Sequence, residues 1–71
     1  MPPLNLPADA IEAAAKVAAA EYWHVWQRAL GNPRTAIDPD RHWEEQVGDE
    51  ERDILRAVTR ASITAFLRNW L

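Results

Sequence analysis

Residues 49–70 are the feature that most limits how this chain can fold, because they predict one long amphipathic helix. The segment opens with an acidic run, Asp-Glu-Glu-Arg-Asp, which suits the positive end of a helix dipole. Apolar residues then recur at spacings of three and four, and such spacings line one side of a helix. The predicted core side consists of Ile54, Leu55, Val58, Ala61, Ser62, Ala65 and Phe66.

A second apolar set lies on the other side of the same predicted helix. At 100° per residue, the residues Ile63, Leu67 and Trp70 fall roughly opposite Ile54, Val58 and Ala65. One partner helix cannot cover both sides, and exposed apolar area costs about 25 cal/mol per Å². Three arrangements stay open: the short helix covers the second set, another chain covers it, or it remains exposed at a frayed helix end.

A second long helix is predicted for about residues 7–30. This segment is rich in alanine, the strongest helix former, and Pro7 suits a first helical turn. The sequence Gly31-Asn32-Pro33 is a typical stop. The predicted core stripe consists of Ile11, Ala14, Ala18, Tyr22, Val25 and Ala29, and Trp23 and Trp26 widen its apolar arc.

A short helix is predicted between the two long ones, at about residues 39–47. Asp38 is placed to cap it and Pro39 suits its first position. Trp43 is its main apolar residue, and we expect it to dock this helix over the gap between the long helices. The long connection makes an antiparallel arrangement of the long helices natural.

The predicted fold is therefore all-α. Residues 1–6 are an extended lead-in and residues 7–71 are a single helical domain, too short for a second one. Two long antiparallel helices, about 7–30 and 49–70, enclose the short helix at about 39–47. They form either a three-helix bundle or a dimeric four-helix bundle, because so short a chain has a thin margin of stability alone.

Composition excludes several classes of protein. The chain has no cysteine, which excludes disulfides and cysteine-ligated zinc. Its net charge of −3 argues against nucleic-acid binding by bulk electrostatics. No apolar run approaches the roughly 20 residues that span a bilayer, and the first residues do not resemble a signal peptide. We expect no membrane partner and a cytoplasmic location.

A basic stripe supplies the alternative to protein binding. Arg52, Arg56 and Arg60 recur every four residues and could contact phosphates, as in a nucleic-acid-binding regulator. Asp49 and Asp53 stand three residues before Arg52 and Arg56, where they can neutralise the stripe. The acidic start of this helix also counts against its use as a reading helix in DNA.

No catalytic or cofactor site is predicted. Glu21 and His24 have a Glu-x-x-His spacing, which in di-iron bundles places two ligands on one helix face, and His42 could add a third. Those bundles need the motif twice, and it occurs once here. Without a nucleophile set, a phosphate loop or paired carboxylates, we expect no enzyme, no cofactor and no metal.

The segment Trp43 to Phe66 reads W-E-E-Q-V-G-D-E-E-R-D-I-L-R-A-V-T-R-A-S-I-T-A-F. It resembles a pattern of small α-helical proteins from actinobacterial phages and prophages, in which a Trp and a turn precede an acidic run and an R-x-V-x-R-A helix. Gln46-Val47 and Ser62-Ile63 depart from the usual Leu and Ala-Leu. The resemblance implies a phage-encoded helical protein, located in the host cytoplasm, and carries over no site residues.

The function predicted from these observations is a small non-enzymatic protein-interaction module. It would dock on a host or phage protein, or on itself as a homo-oligomer, through apolar helix faces. The predicted interface consists of Ile63, Leu67, Trp70, Trp23 and Trp26. Tryptophan supplies a large area with few torsions to order, which favours its use at contact surfaces.

Overall fold

The computed structural model describes residues 5–32 and 37–70, which fold into three α-helices. These are α1 (Ala8–Ala29), α2 (Pro39–Gln46) and α3 (Asp49–Trp70). The predicted helices are confirmed to within a residue at each end. Residues 1–4 of the predicted lead-in, Pro33 of the predicted stop and Leu71 at the end of the domain lie outside the described residues.

The residues after α1 show why the helix ends at Ala29. Gly31 has a φ of 79°, a left-handed conformation that only glycine adopts at little cost. Its N–H donates to the carbonyl of Arg28, and the Asn32 N–H donates to the carbonyl of Gln27. This pair of bonds satisfies the last carbonyl groups of the helix in the Schellman arrangement.

The start of α2 follows the predicted chemistry as well. Asp38 is the N-cap, its carboxylate accepts a hydrogen bond from the Asp40 N–H at 3.2 Å, and Pro39 occupies the first helical position. The cap fixes where α2 begins and therefore where Trp43 lies along it. At the start of α3, the Arg52 N–H donates to the carbonyl of Gly48.

The core lies where α2 meets α1. Trp43 is only 3 % exposed and packs with Val47 against the alanines Ala15 and Ala19, with Leu55 of α3 at the edge. Alanine has no bulk beyond Cβ, so α1 can approach the indole ring closely. The prediction that Trp43 docks the short helix is confirmed. α1 packs against both α2 and α3, whereas α2 and α3 touch each other less.

The predicted core side of α3 is wrong. Ile54, Val58 and Phe66 are 62 %, 57 % and 62 % exposed, and Ala61, Ser62 and Ala65 are not buried either. Of that set only Leu55 packs against the core cluster. The half-buried residues of α3 are instead Arg52, Leu55, Arg56, Thr59, Ile63, Thr64 and Leu67. Arginine stems can cover apolar surface while their charged ends stay paired, which the apolar periodicity does not register.

The predicted stripe of α1 is also rotated. The buried residues are Ile11, Ala15, Ala19 and Ala20, whereas the predicted members Ala18, Tyr22, Val25 and Ala29 are exposed and Ala14 is half-buried. Alanines surround this helix on all sides, so apolar spacing leaves its orientation undetermined. Trp43 and Val47 are large, so they pack against the side of α1 that has small residues, Ala15 and Ala19.

Many large apolar side chains of the described residues lie at the surface. Nine of them are at least half exposed: Val17, Tyr22, Val25, Trp26, Leu30, Ile54, Val58, Phe66 and Trp70. Among the described residues, no helix has the length and apolar character needed to cross a membrane.

Candidate interaction surface

Two arginines of α3 lie over the ring of Trp43, which packs against α1 on another side. The guanidinium carbons of Arg52 and Arg56 each lie 5.6 Å from the ring centroid, within the range of cation–π attraction. Arg52 Nη2 also donates to the carbonyl oxygen of Trp43 at 2.7 Å. These contacts hold the side of α3 that bears the arginines against α1 and α2.

The second arginine of the stripe is paired across helices. Arg56 Nη2 donates to Glu12 Oε1 of α1, and Arg56 Nη1 donates to Asp53 Oδ1 at 3.1 Å. The hydrogen bond from Arg56 lowers the pKa of Glu12 below its usual value, and this outweighs partial desolvation of the carboxylate. The same bond raises the pKa of Arg56. The pair therefore favours both charged forms.

All three arginines of the predicted basic stripe are engaged within the chain. Arg60 Nη1 lies 3.4 Å from the carbonyl oxygen of Leu6, and Arg52 pairs with Asp49 at 3.8 Å. The predicted pairing of Asp49 and Asp53 with the stripe is confirmed. These partners would compete with phosphate for the guanidinium groups.

The opposite side of α3 is apolar and exposed. We call Ile54, Val58, Ala61 and Ala65 the α3 stripe; its members are separated by four, three and four residues and form a continuous ridge along the helix. Glu50 and Glu51 precede the stripe by one turn, and Arg68 and Asn69 follow it by one turn. All eight residues are exposed.

An apolar groove adjoins one end of the α3 stripe. Tyr22 and Trp26 of α1, Val47 after α2 and Ile54 of α3 line an open depression of about 420 Å³. Its walls are mainly apolar and aromatic, as in surfaces that bind other proteins. Trp26 near the end of α1 and Glu51 near the start of α3 both line this groove.

The far end of α3 carries a separate aromatic pair. The rings of Phe66 and Trp70 stack with centroids 6.0 Å apart and an interplanar angle of 8°. Trp70 is 76 % exposed. Neither ring lines the apolar groove, so the exposed aromatics of the described residues form two separate groups.

The residues predicted for a protein interface divide between these regions. Trp23 and Trp26 both line the apolar groove, Trp23 half-buried and Trp26 exposed, whereas the exposed Trp70 belongs to the far aromatic pair. Ile63 and Leu67 are half-buried within their own chain. An interface at these five positions stays a prediction. Tyr22, Ile54 and Val58, which the apolar spacing assigns to the core, are exposed instead. For Ile54 and Val58 the acidic and basic residues at the two ends of the α3 stripe are the sequence signal of an exposed side.

The candidate metal ligands are not gathered into a site. Within residues 5–32 and 37–70, no group of three side chains from His, Asp or Glu is placed to hold a metal ion. His42 is buried and its ring lies 5.9 Å from that of Trp23. Nδ1 of His24 and Nδ1 of His42 have no hydrogen-bond partner in the described part of the chain. Glu21, His24 and His42 therefore do not form the three-ligand set considered from the sequence.

Comparison with known proteins gives no relative from which a role could be carried over. The chain matches no protein-family model, no curated protein and no solved structure at a significant level.

Proposed function

We propose that this chain is a small non-enzymatic protein-interaction module whose contact surface is the α3 stripe with the adjoining apolar groove. The observation that carries the proposal is the exposure of a continuous apolar ridge on a helix whose other side already packs within the chain. A ridge of this kind in a small monomer is unfavourable in water and is typical of a surface that another protein covers.

We propose an antiparallel arrangement of α1 and α3. Three contacts support it, because their order reverses between the helices. Leu6 meets Arg60, Glu12 meets Arg56, and the buried cluster around Ala19 includes Leu55. In this arrangement the α3 stripe lies on the side of α3 opposite its half-buried residues, and only its Ile54 end adjoins α1, at the apolar groove.

The nucleic-acid alternative is weaker. A phosphate contact at Arg52 or Arg56 would have to replace hydrogen bonds and ring contacts that hold α3 in place. The chain is also acidic, which opposes the counterion-driven part of binding. Duplex binding that weakens steeply with salt and is lost in Arg60→Ala would favour this alternative instead.

The proposal can be tested by site-specific photo-crosslinking in the cells that express the chain. A photoreactive phenylalanine analogue replaces Val58 in the α3 stripe, and the control places it at Arg41, whose side chain is 70 % exposed on α2. We expect position 58 to capture one protein that can be identified by mass. Ile54→Glu in the same chain should abolish that capture, because it places a charge in the apolar ridge.

Equal capture at positions 58 and 41, or capture at 58 that Ile54→Glu does not change, would contradict the proposal. The captured protein can be this chain itself or another protein, and either result supports a contact surface at the α3 stripe. A phage origin and a cytoplasmic location are proposals from the sequence alone, and fractionation of the same cells tests the second.

A further inference from the structure

We propose that the partner at the α3 stripe is a second copy of this chain, with the two α3 helices antiparallel about a two-fold axis. This inference depends on the proposed function, since it names the occupant of the same surface. In a two-fold interface the same patch serves both copies, so the patch must be complementary to itself when its direction is reversed. Three features of the α3 stripe meet that condition.

The first feature is the spacing of the stripe. Its members are separated by four, three and four residues, and this order is the same when read backwards. A reversed copy centred between Val58 and Ala61 therefore lays a second ridge along the whole length of the first. The spacing is also that of a heptad seam, which keeps two long helices in contact.

The second feature is the size of the side chains. Reversal about that centre places Ile54 opposite Ala65 of the second copy and Val58 opposite Ala61 of the second copy. Each large residue thus meets a small one, so the ridges can interlock without a clash or a void. A parallel pairing would instead place Ile54 against Ile54 and Ala65 against Ala65, which leaves one end crowded and the other end empty.

The third feature is charge. Glu50 and Arg68 lie about five helical turns apart, so they occupy the same flank of the α3 stripe at opposite ends. In an antiparallel pair the same flanks meet, which brings Glu50 of one copy close to Arg68 of the other. Within residues 5–32 and 37–70 neither side chain forms an ion pair in its own chain. Both are therefore available to the second copy.

The first test is a dilution series of the wild-type chain by analytical ultracentrifugation. We expect a reversible monomer–dimer equilibrium. Val58→Glu should raise the dimer Kd by about 100-fold or more, because it buries an unpaired charge. Val17→Glu is the matched control, since Val17 is 58 % exposed and Val58 is 57 % exposed. The control should leave the Kd within about twofold of wild type, and circular dichroism should show that both variants keep their helices.

The second test exchanges the charges. Glu50→Arg alone and Arg68→Glu alone should each raise the Kd by about tenfold, since each change affects two symmetric pairs. The variant with both changes restores opposite charges across the interface, and its Kd should return to within about twofold of wild type. If the double variant is as weak as the sum of the singles, Glu50 and Arg68 do not meet and the proposed register is wrong.

The third test reads the direction of the helices and uses the absence of native cysteine. Ile54→Cys and Ala65→Cys are oxidised separately and as an equimolar mixture. In the antiparallel pair, the two thiols introduced at position 54 are roughly 16 Å apart along the axis and cannot be bridged. Disulfide-linked dimer should therefore form in the mixture only. Dimer from either single variant alone would overturn the antiparallel arrangement.

The failure of this inference can be told apart from failure of the proposed function. A wild-type chain that stays monomeric up to millimolar concentration overturns the second copy as partner. If such a monomeric chain still captures another protein at position 58 and not at position 41, the proposed function stands and only the second copy is excluded. If the chain is monomeric and capture at positions 58 and 41 is equal, both proposals are wrong.

Discussion

Glu12 of α1 accepts a hydrogen bond from the guanidinium of Arg56 in α3, and this contact joins two helices across 44 residues of sequence. The same guanidinium lies over the ring of Trp43 in α2. Arg56 thus connects all three helices, because it belongs to α3, donates to Glu12 of α1 and lies over the ring of Trp43 in α2. The arrangement predicts that stability depends on the charge of Glu12 and on the Trp43 ring.

The free energy of unfolding should fall at acid pH because of Glu12. Its pKa is lower in the folded chain than the usual 4.5, so the unfolded chain binds more protons in this range. The contribution is therefore complete above about pH 4.5 and is lost as the pH falls through the folded pKa. Urea unfolding between about pH 3 and pH 7 measures this, and Glu12→Gln should show a shallower dependence. Glu21→Gln is the comparison variant, because it removes an exposed carboxylate of α1 that forms no ion pair within the described residues.

Trp43→Ala should unfold most of the chain. Removal of a buried tryptophan costs about 3–5 kcal/mol, which is comparable to the total stability of a domain this small. We expect the helical circular dichroism signal at room temperature to fall substantially. Trp70→Ala removes the same side chain from an exposed position and should change stability by no more than about 0.5 kcal/mol. Equal effects of the two changes would mean that Trp43 is not the centre of the core.

Gly31→Ala should destabilise the chain by about 1 kcal/mol, because the left-handed conformation is costly for a residue with a Cβ. Gly31 has a φ of 79°, where a Cβ is strained even though nothing lies near enough to clash with it. Gly48→Ala is the matched control, because Gly48 also has open space around it but no positive φ. We expect the control to lie within about 0.5 kcal/mol of wild type in thermal unfolding. A Gly31→Ala variant as stable as the control would contradict the role of the left-handed turn.

Asp38→Ala should cost about 1 kcal/mol, the usual effect of removing a helix N-cap. Its carboxylate accepts from the Asp40 N–H, and no other side chain in the described residues replaces that bond. Asp38→Asn keeps an acceptor in the same place and should recover most of the loss. Urea unfolding of the three chains measures both changes, and equal loss in Asp38→Asn and Asp38→Ala would show that the cap is not the cause.

The helix ends could be predicted from the sequence because their chemistry is local. Asp38 before Pro39 and Gly31 after α1 act through bonds that span only a few residues. The burial of Trp43 followed from its size and from the lack of any other large apolar residue within α2. These features need no knowledge of which helix faces which.

The orientation of α3 could not be predicted because it depends on contacts distant in sequence. The apolar pattern placed Ile54 and Val58 inside, but the structure turns Arg52 and Arg56 inward instead. The guanidinium of Arg52 donates to the carbonyl of Trp43, and that of Arg56 donates to Glu12, so both inward arginines have hydrogen-bond partners. Counting apolar positions cannot detect such contacts. The residues assigned to the core therefore became the candidate contact surface.

The packing of α2 and α3 on α1 has a consequence for the order in which this chain unfolds. α1 is the helix against which both α2 and α3 pack, and those two share few contacts with each other. Either of the two can leave α1 while the other stays in place only after the contacts of Arg52 and Arg56 with Trp43 break. Amide hydrogens of α1 should exchange with solvent most slowly, because both other helices pack against it. Unfolding would then begin at the periphery and reach the alanine-rich helix last.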